Sequence, residues 1–440
     1  MNRDSSGILI PFVYFIAGAS SLAGVATTFY YKEDLGLSIA QASIIGSLSI
    51  IPWSIKPLYG LLSDRIPLMG LRRKPYLFLA GLFGASGYFS MATWVHNFSG
   101  AIIATILSGL GFALADVIVD GIVAEKSKNQ SEAGKLQSVC RASIMTGALL
   151  VAYVSGILTE MIGPRNVFWI TGTLPLLTSV LSLCISESPA LRRESVISGT
   201  WKNLKSGFSK ELLMGVLFMF VWRATPNSGG ALGYYEIDVL GFSPEFFGRL
   251  SLISHAMGIV GVVIFRKLLL TLSLRKLFCW VMILSVVLSL PAIGLVYGWY
   301  ELLGVSPRFF AMADTLISGP LTEIGFLPLL VLAARLCPKG VEATMFALLA
   351  SIMNIGLAVS DMGGALLVKI FHVNQATETL PADYTNLHIV LWIAILSSLL
   401  PWPLLRFLPE TRTSEELDGT SPSARKQSLD AGDRSKAEIA

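Results

Sequence analysis

Apolar runs of roughly twenty residues, separated by short polar turns, follow one another from the start of this chain to about residue 407. In order they cover Ile8 to Tyr30, Ala40 to Leu62, Tyr76 to Trp94, Ala101 to Ala124, Leu136 to Thr159, Val167 to Ile185, Leu212 to Gly230, Phe247 to Phe265, Leu277 to Tyr297, Phe309 to Ala334, Ala343 to Ile370 and Leu387 to Phe407. Each is long enough to cross a hydrocarbon core about 30 Å thick. Backbone N–H and C=O groups in lipid must bond within their own segment, so each run is expected to be a helix. The pattern predicts an all-α membrane protein with about twelve transmembrane helices. Composition agrees: 53% of the 440 residues are hydrophobic and 14% charged, with a mean hydropathy of +0.66, which excludes an ordinary soluble domain.

Charge gives the expected orientation, because loops that stay in the cytosol keep their Lys and Arg residues. The even-numbered loops are basic. Arg65, Arg72, Arg73 and Lys74 follow span two; Lys126, Lys128 and Lys135 follow span four; Arg192, Arg193, Lys202, Lys205 and Lys210 follow span six; and Arg266, Lys267, Arg275 and Lys276 follow span eight. The opposite loops carry scattered single charges such as Lys32, Arg165 and Arg249. Both termini are therefore expected in the cytosol. Cys140, Cys184, Cys279 and Cys337 lie in or at the cytosolic ends of spans and imply no disulfide framework. The sequon Asn97-Phe98-Ser99 lies hard against the membrane and reads as chance.

A charged segment of residues 187–210 divides the chain into halves of residues 1–186 and 211–410, followed by a polar tail of residues 411–440 that is expected to be disordered. Arg425-Lys426-Gln427-Ser428 in that tail has a basophilic kinase pattern, common in such segments. Ala142-Ser143-Ile144-Met145 in span five recurs as Ala350-Ser351-Ile352-Met353 in span eleven, each after a basic turn, which points to an internal duplication. Two parallel six-helix halves with a site between them near the midplane are the architecture expected of the major facilitator superfamily.

The loop after span two sharpens this. Gly60-Leu61-Leu62-Ser63-Asp64-Arg65 leads through Gly70 to Arg72-Arg73 and resembles that superfamily's signature loop. Pro52-Trp53, Lys56-Pro57, Gly60, Ser63-Asp64, Pro67, Gly70 and Arg72-Arg73 together resemble the opening motif of one family within it, the folate-biopterin transporters. Further matches are Ala115-Asp116-Val117 with Asp120 and Glu125, Leu136-Gln137-Ser138, Trp222 with Ala224-Thr225-Pro226, Leu240 to Phe246, and Cys337-Pro338 through Gly340, Glu342 and Thr344 to Asn354 and Gly363-Gly364. The resemblance covers nearly all twelve spans. It departs at Arg141, where an aromatic is common, and at Arg223, where an uncharged polar residue is common. It implies a secondary carrier of folates or pterins working by alternating access, with protons as a candidate co-substrate.

A charge inside a membrane helix is costly and faces the bundle interior, so each one needs a reason. Asp116 and Asp120 are four apart, on one face of span four; they are candidates either for substrate binding or for pairing with Lys56 or Arg141. Arg223 stands mid-span just before Pro226, which is expected to disturb the helix. Glu323 follows the pair Gly319-Pro320, expected to break span ten, and Asp314 lies in that span's other half. Asp361 and Lys369 near the outer end of span eleven either snorkel or pair with each other, a structural role, and His255 reads as a packing residue with a proton role as the alternative. Substrate-binding candidates are thus Asp116, Asp120, Arg223, Glu323 and Asp314. Gating candidates are Asp64, Arg65, Arg72, Arg73 and Lys56, because a carboxylate at a helix end can hold the halves in one state and release them in another.

A pterin ring offers an amino edge to a carboxylate, and folate's glutamyl tail offers carboxylates to an arginine. The same groups suit another organic anion, and a transport-inactive receptor or scaffold would keep the same fold. With four His and no HExxH, GxSxG or Cys/His cluster, the chain carries no enzyme signature, and no metal, cofactor or nucleic acid is called for.

Overall fold

The computed structural model describes residues 6–126, 130–185, 187, 210–337, 342–376 and 381–408. The tail with its kinase pattern and nearly all of the segment between the halves lie outside the described residues.

The chain is almost wholly helical. Its main helices are α1 (Ser6–Ala19), α2 (Ala23–Phe29), α3 (Ile39–Ser49), α4 (Lys56–Arg65), α5 (Lys74–Thr93), α6 (Phe98–Lys126), α7 (Gln130–Ile162), α8 (Pro164–Ser182), α9 (Lys210–Ala224), α10 (Ala231–Asp238), α11 (Pro244–Thr271), α12 (Leu274–Leu288), α13 (Leu290–Val296), α14 (Pro307–Leu336), α15 (Glu342–Ile370) and α16 (Leu387–Ser397). Among the described residues, eight stretches are long and apolar enough to cross a bilayer: Leu9–Asp34, Phe98–Val123, Ser138–Ile162, Pro244–Leu268, Leu274–Val296, Pro307–Leu336, Met345–Ile370 and Leu387–Phe407.

The other four predicted spans fall outside that set for identifiable reasons. Between α3 and α4 the helix is interrupted twice, beside Pro52 and Pro57, which have no N–H to give to the ladder. Hydroxyls and glycines dilute α5, and Arg165, Asn166 and hydroxyls dilute α8. The seventh segment opens after Ala224 and resumes at Ala231. Pro226 was expected to disturb it, and the carbonyls freed there find side chains: Ser360 Oγ donates to the Thr225 carbonyl at 2.6 Å, and Ser43 Oγ to that of Gly229 at 2.5 Å.

One expectation is overturned. Gly319-Pro320 does not break its helix, since α14 runs unbroken past both Pro320 and Pro328. The pair serves close packing instead: a Cβ built on Gly319 would lie 2.7 Å from Met257 Cβ, and one on Gly261 2.3 Å from the Pro320 carbonyl oxygen. Small residues at these positions let α11 and α14 touch along their backbones.

Within residues 6–185, α5 packs against α6 and α8, and α1 against α7. In the later part α11 packs against α14, and α9 against α15. Two long crossings join the parts: α7 with α11, and α3 with α15. The first is glycine on backbone, because a Cβ on Gly156 would sit 2.3 Å from the Pro244 carbonyl oxygen. One apolar cluster also spans both parts, with Ile39 among Tyr234, Tyr235, Leu387 and Leu391. It lies at the end of the bundle opposite the basic loops.

At the basic end the described residues are tied by a carboxylate cap. Glu187 Oε1 accepts from the backbone N–H of Arg72 (2.6 Å) and of Arg73 (2.9 Å), while Oε2 accepts from Arg73 (3.1 Å) and Lys74 (2.8 Å). These are orphan donors at the start of α5, where the helix dipole also favours negative charge.

Candidate functional site

The basic loop after α4 is organised by Arg73. Its side chain is buried, donates to Ser63 Oγ at 2.9 Å and pairs with Asp64 Oδ1 at 2.9 Å. Gly121 of α6 makes room for it, since a Cβ there would lie 2.8 Å from the guanidinium carbon. Arg73 thereby ties the end of α4 to the flank of α6. Asp64 is 55% exposed on its side chain, so water weakens the pair to roughly 1 kcal/mol or less. Arg65 is exposed, and Arg72 contributes its backbone to the Glu187 cap.

The carboxylates of α6 are already engaged. Lys56 Nζ meets Asp116 Oδ2 at 2.6 Å and lies 4.5 Å from the centre of the Trp53 ring. Tyr14 Oη donates to Asp120 Oδ1 at 2.7 Å. The cavity beside Tyr14, Trp53 and Asp116 measures about 40 Å³, room for a water and not for a ring system.

Arg141 goes to Glu323. Its Nη2 approaches Oε2 at 3.1 Å and Oε1 at 3.3 Å, joining α7 to α14 across the two parts of the chain. Glu323 is 16% exposed on its side chain and Arg141 47%. The sequence offers Arg141 as a partner for Asp116 or Asp120, and the structure gives it to a third carboxylate. Asp361 turns to Asn227 Nδ2 at 2.6 Å, while Lys369 is exposed, so of the two readings, snorkelling and pairing, the pair does not form. Asp314 is half-buried on α14, within electrostatic reach of Glu236 on α10, a carboxylate the sequence reading passed over.

At the end opposite the basic loops lies a cluster that sequence reasoning had dismissed as scattered charge. Lys32 Nζ contacts Asp238 Oδ1 at 2.5 Å, with the two side chains 9% and 7% exposed. Asp238 Oδ2 accepts from Tyr384 Oη (2.7 Å) and from the backbone N–H of Ala376 (3.1 Å). Burial and the neighbouring Asp238 push the Tyr384 hydroxyl pKa upward and keep it a donor. Nearby, Tyr153 Oη donates to Glu245 Oε1 at 2.7 Å and Glu160 accepts from the backbone N–H of Glu245 at 2.9 Å, again across the two parts.

Beneath these contacts runs a crevice of about 380 Å³ whose walls come from both parts of the chain, including Ser21 and Thr28, Ser155, Ser254 and His255, and Thr315. That is within the roughly 300–1,000 Å³ range of small-molecule sites. His255 Nδ1 lies 2.8 Å from the Ser251 carbonyl oxygen, which can only accept, so Nδ1 carries the proton and Nε2 is left for other partners. Among the described residues no three His, Cys, Asp or Glu side chains are arranged to hold a metal ion.

Comparison with known proteins adds to this geometry. The model of the BT1 family matches residues 17–428. The folate-biopterin transporter of Synechocystis sp. is 37% identical over 405 residues, covering 90% of this chain and 80% of the relative. Probable folate-biopterin transporter 2 of Arabidopsis thaliana is 30% identical over 407 residues, covering 89% and 79%. Among solved structures, a D-xylose-proton symporter superposes with a TM-score of 0.70 at 15% identity, over 93% of this chain and 99% of that one. The chain shares the fold of that symporter.

Proposed function

This chain belongs to the BT1 family, and on that premise we infer that it is a secondary carrier of folates or pterins, working by alternating access. The observation that carries the substrate class is the match to relatives named folate-biopterin transporter along most of both chains. The observation that supports the mechanism is the set of polar links between the two parts of the chain, concentrated at one end of a crevice that both parts line.

In this reading twelve spans form two six-helix halves, residues 1–186 and 211–410, joined by the 187–210 segment, with both termini in the cytosol. The cluster of Lys32, Asp238 and Tyr384 closes the end away from the basic loops. Rocking of the halves breaks it and exposes the crevice there. Asp314 on α14, and Glu323 once Arg141 releases it, then offer carboxylates to a pterin's N–H and amino edge. Asp116 and Asp120 join them once Lys56 and Tyr14 release their oxygens. The loop of Asp64, Arg65, Arg72 and Arg73, with Lys56, couples the ends of α4, α5 and α6 as the halves move. Protons are a coherent co-substrate, because a carboxylate that crosses empty does so at lower cost when neutral.

Uptake of labelled folic acid and labelled biopterin by a folate-auxotrophic host expressing the chain tests the reading. Saturable uptake of either supports it. Binding without uptake favours the receptor or scaffold, and uptake of other organic anions alone favours the broader carrier.

A further inference from the structure

Arg223 ends α9 in mid-bundle, at the point where the backbone opens, and its guanidinium lies 5.6 Å from the centre of the Phe326 ring. Even a half-buried arginine in a membrane helix is costly without a counter-ion. The three carboxylates nearest to hand by sequence reading are each taken: Asp116 by Lys56, Asp120 by Tyr14 and Glu323 by Arg141. Asp361 is the carboxylate whose field reaches Arg223, but it accepts a hydrogen bond from Asn227. Among the described residues, no carboxylate comes within ion-pair distance of Arg223, and its Nε is buried with no hydrogen-bond partner.

Beside it is a chamber of about 230 Å³ inside the later part of the chain, distinct from the crevice between the parts. Thr225 of the opened segment, Ser285 of α12, Thr322 of α14 and Ser398 line it together with Arg223 and Phe326. The Ser398 and Thr225 hydroxyls already donate to the Ile395 and Trp222 carbonyls, so one fixed cation, the hydroxyls of Ser285 and Thr322 and the absence of a lining carboxylate make the chamber complementary to negative charge.

We propose that this chamber is an anion site, with Arg223 supplying the charge and the Ser285 and Thr322 hydroxyls the remaining hydrogen bonds to a small monovalent group. Two sources share that chemistry. One is a carboxylate of the transported solute, which rests on the folate and pterin reading above; the other is a free anion such as chloride, which does not.

The test uses purified full-length protein in detergent and reads binding by thermal shift and titration. The probes are p-aminobenzoyl-glutamate, biopterin, and sodium chloride against sodium gluconate. Wild type is expected to bind p-aminobenzoyl-glutamate or chloride, and Arg223→Gln to weaken that binding at least tenfold while biopterin binding stays within twofold. Arg223→Lys, which keeps a charge but loses the fork, is expected to fall between. Loss confined to p-aminobenzoyl-glutamate identifies the solute carboxylate, and loss confined to chloride the free anion. If wild type binds neither p-aminobenzoyl-glutamate nor biopterin, the transport reading fails while the chloride arm still decides the chamber. Should Arg223→Gln not fold, Thr322→Val and Ser285→Ala, which keep the charge, are each expected to weaken anion binding about threefold. The proposal is overturned if wild type binds neither anion, or if the folded variants bind both anions as wild type does.

Discussion

Asp238→Asn is the substitution whose consequence the structure fixes most closely. Asp238 holds Lys32 through one oxygen and Tyr384 and the Ala376 N–H through the other, with both charged side chains under one-tenth exposed. Asparagine keeps the shape and one acceptor, but it presents no charge to Lys32 and leaves an ammonium buried without its partner. Removing one member of a buried pair costs about 3–5 kcal/mol. That cost falls only on the conformation in which residues 32 and 238 meet, so the equilibrium shifts away from closure at this end by a factor on the order of 10²–10⁴. Thr28 lines the crevice one helical turn below Lys32. A cysteine placed at Thr28, in a background without native cysteines, therefore reports access from that side to an impermeant maleimide. Asp238→Asn is expected to raise its labelling rate about 100-fold, and Lys32→Met to do the same. Replacing both, Lys32→Met with Asp238→Leu, is expected to recover part of the closure, because no lone charge remains buried. A labelling rate within threefold of the parent, in protein with unchanged melting temperature, would show that the pair does not hold this end shut.

Three further expectations follow from the same contacts. Asp64→Asn removes a pair that is half in water, so the melting temperature is expected to stay within a few degrees while uptake falls sharply; normal uptake at normal expression would remove the loop from the gating step. Glu323→Gln frees Arg141, which is half-exposed and tolerates it, so the protein is expected to fold yet to lose transport or change its pH profile, and an unchanged affinity and profile would make the pair structural. Glu187→Ala strips four N–H contacts from the start of α5 and is expected to cost about 1–2 kcal/mol of stability, read as a lower melting temperature without a change in apparent substrate affinity.

Helix positions were legible because lipid imposes a length and a hydropathy on each crossing, and eight of the twelve predicted segments meet that standard in the structure. The opening near Pro226 was legible for the same local reason, a missing N–H. Gly319-Pro320 misled because proline disturbs a helix only where packing does not hold it, and there α11 presses its own glycine against the Pro320 carbonyl. Lys56 as a partner for Asp116 was legible because both stand in the cytosolic halves of their spans, the second and the fourth. Arg141 with Glu323 and Lys32 with Asp238 are 182 and 206 residues apart, and no periodicity links residues across the two parts of the chain. Single charges in short loops look alike in a sequence whether they face water or close a bundle.

Counterflow tests carriage by alternating access most directly. Proteoliposomes holding the full chain are loaded with unlabelled folic acid or biopterin and diluted into trace labelled folic acid. A carrier with one site exposed alternately to each side exchanges label inward faster than net flux allows, so label is expected to accumulate transiently above its external concentration and then decay, from either internal substrate. Label that binds the protein but enters loaded and empty vesicles at the same rate as protein-free ones would contradict it.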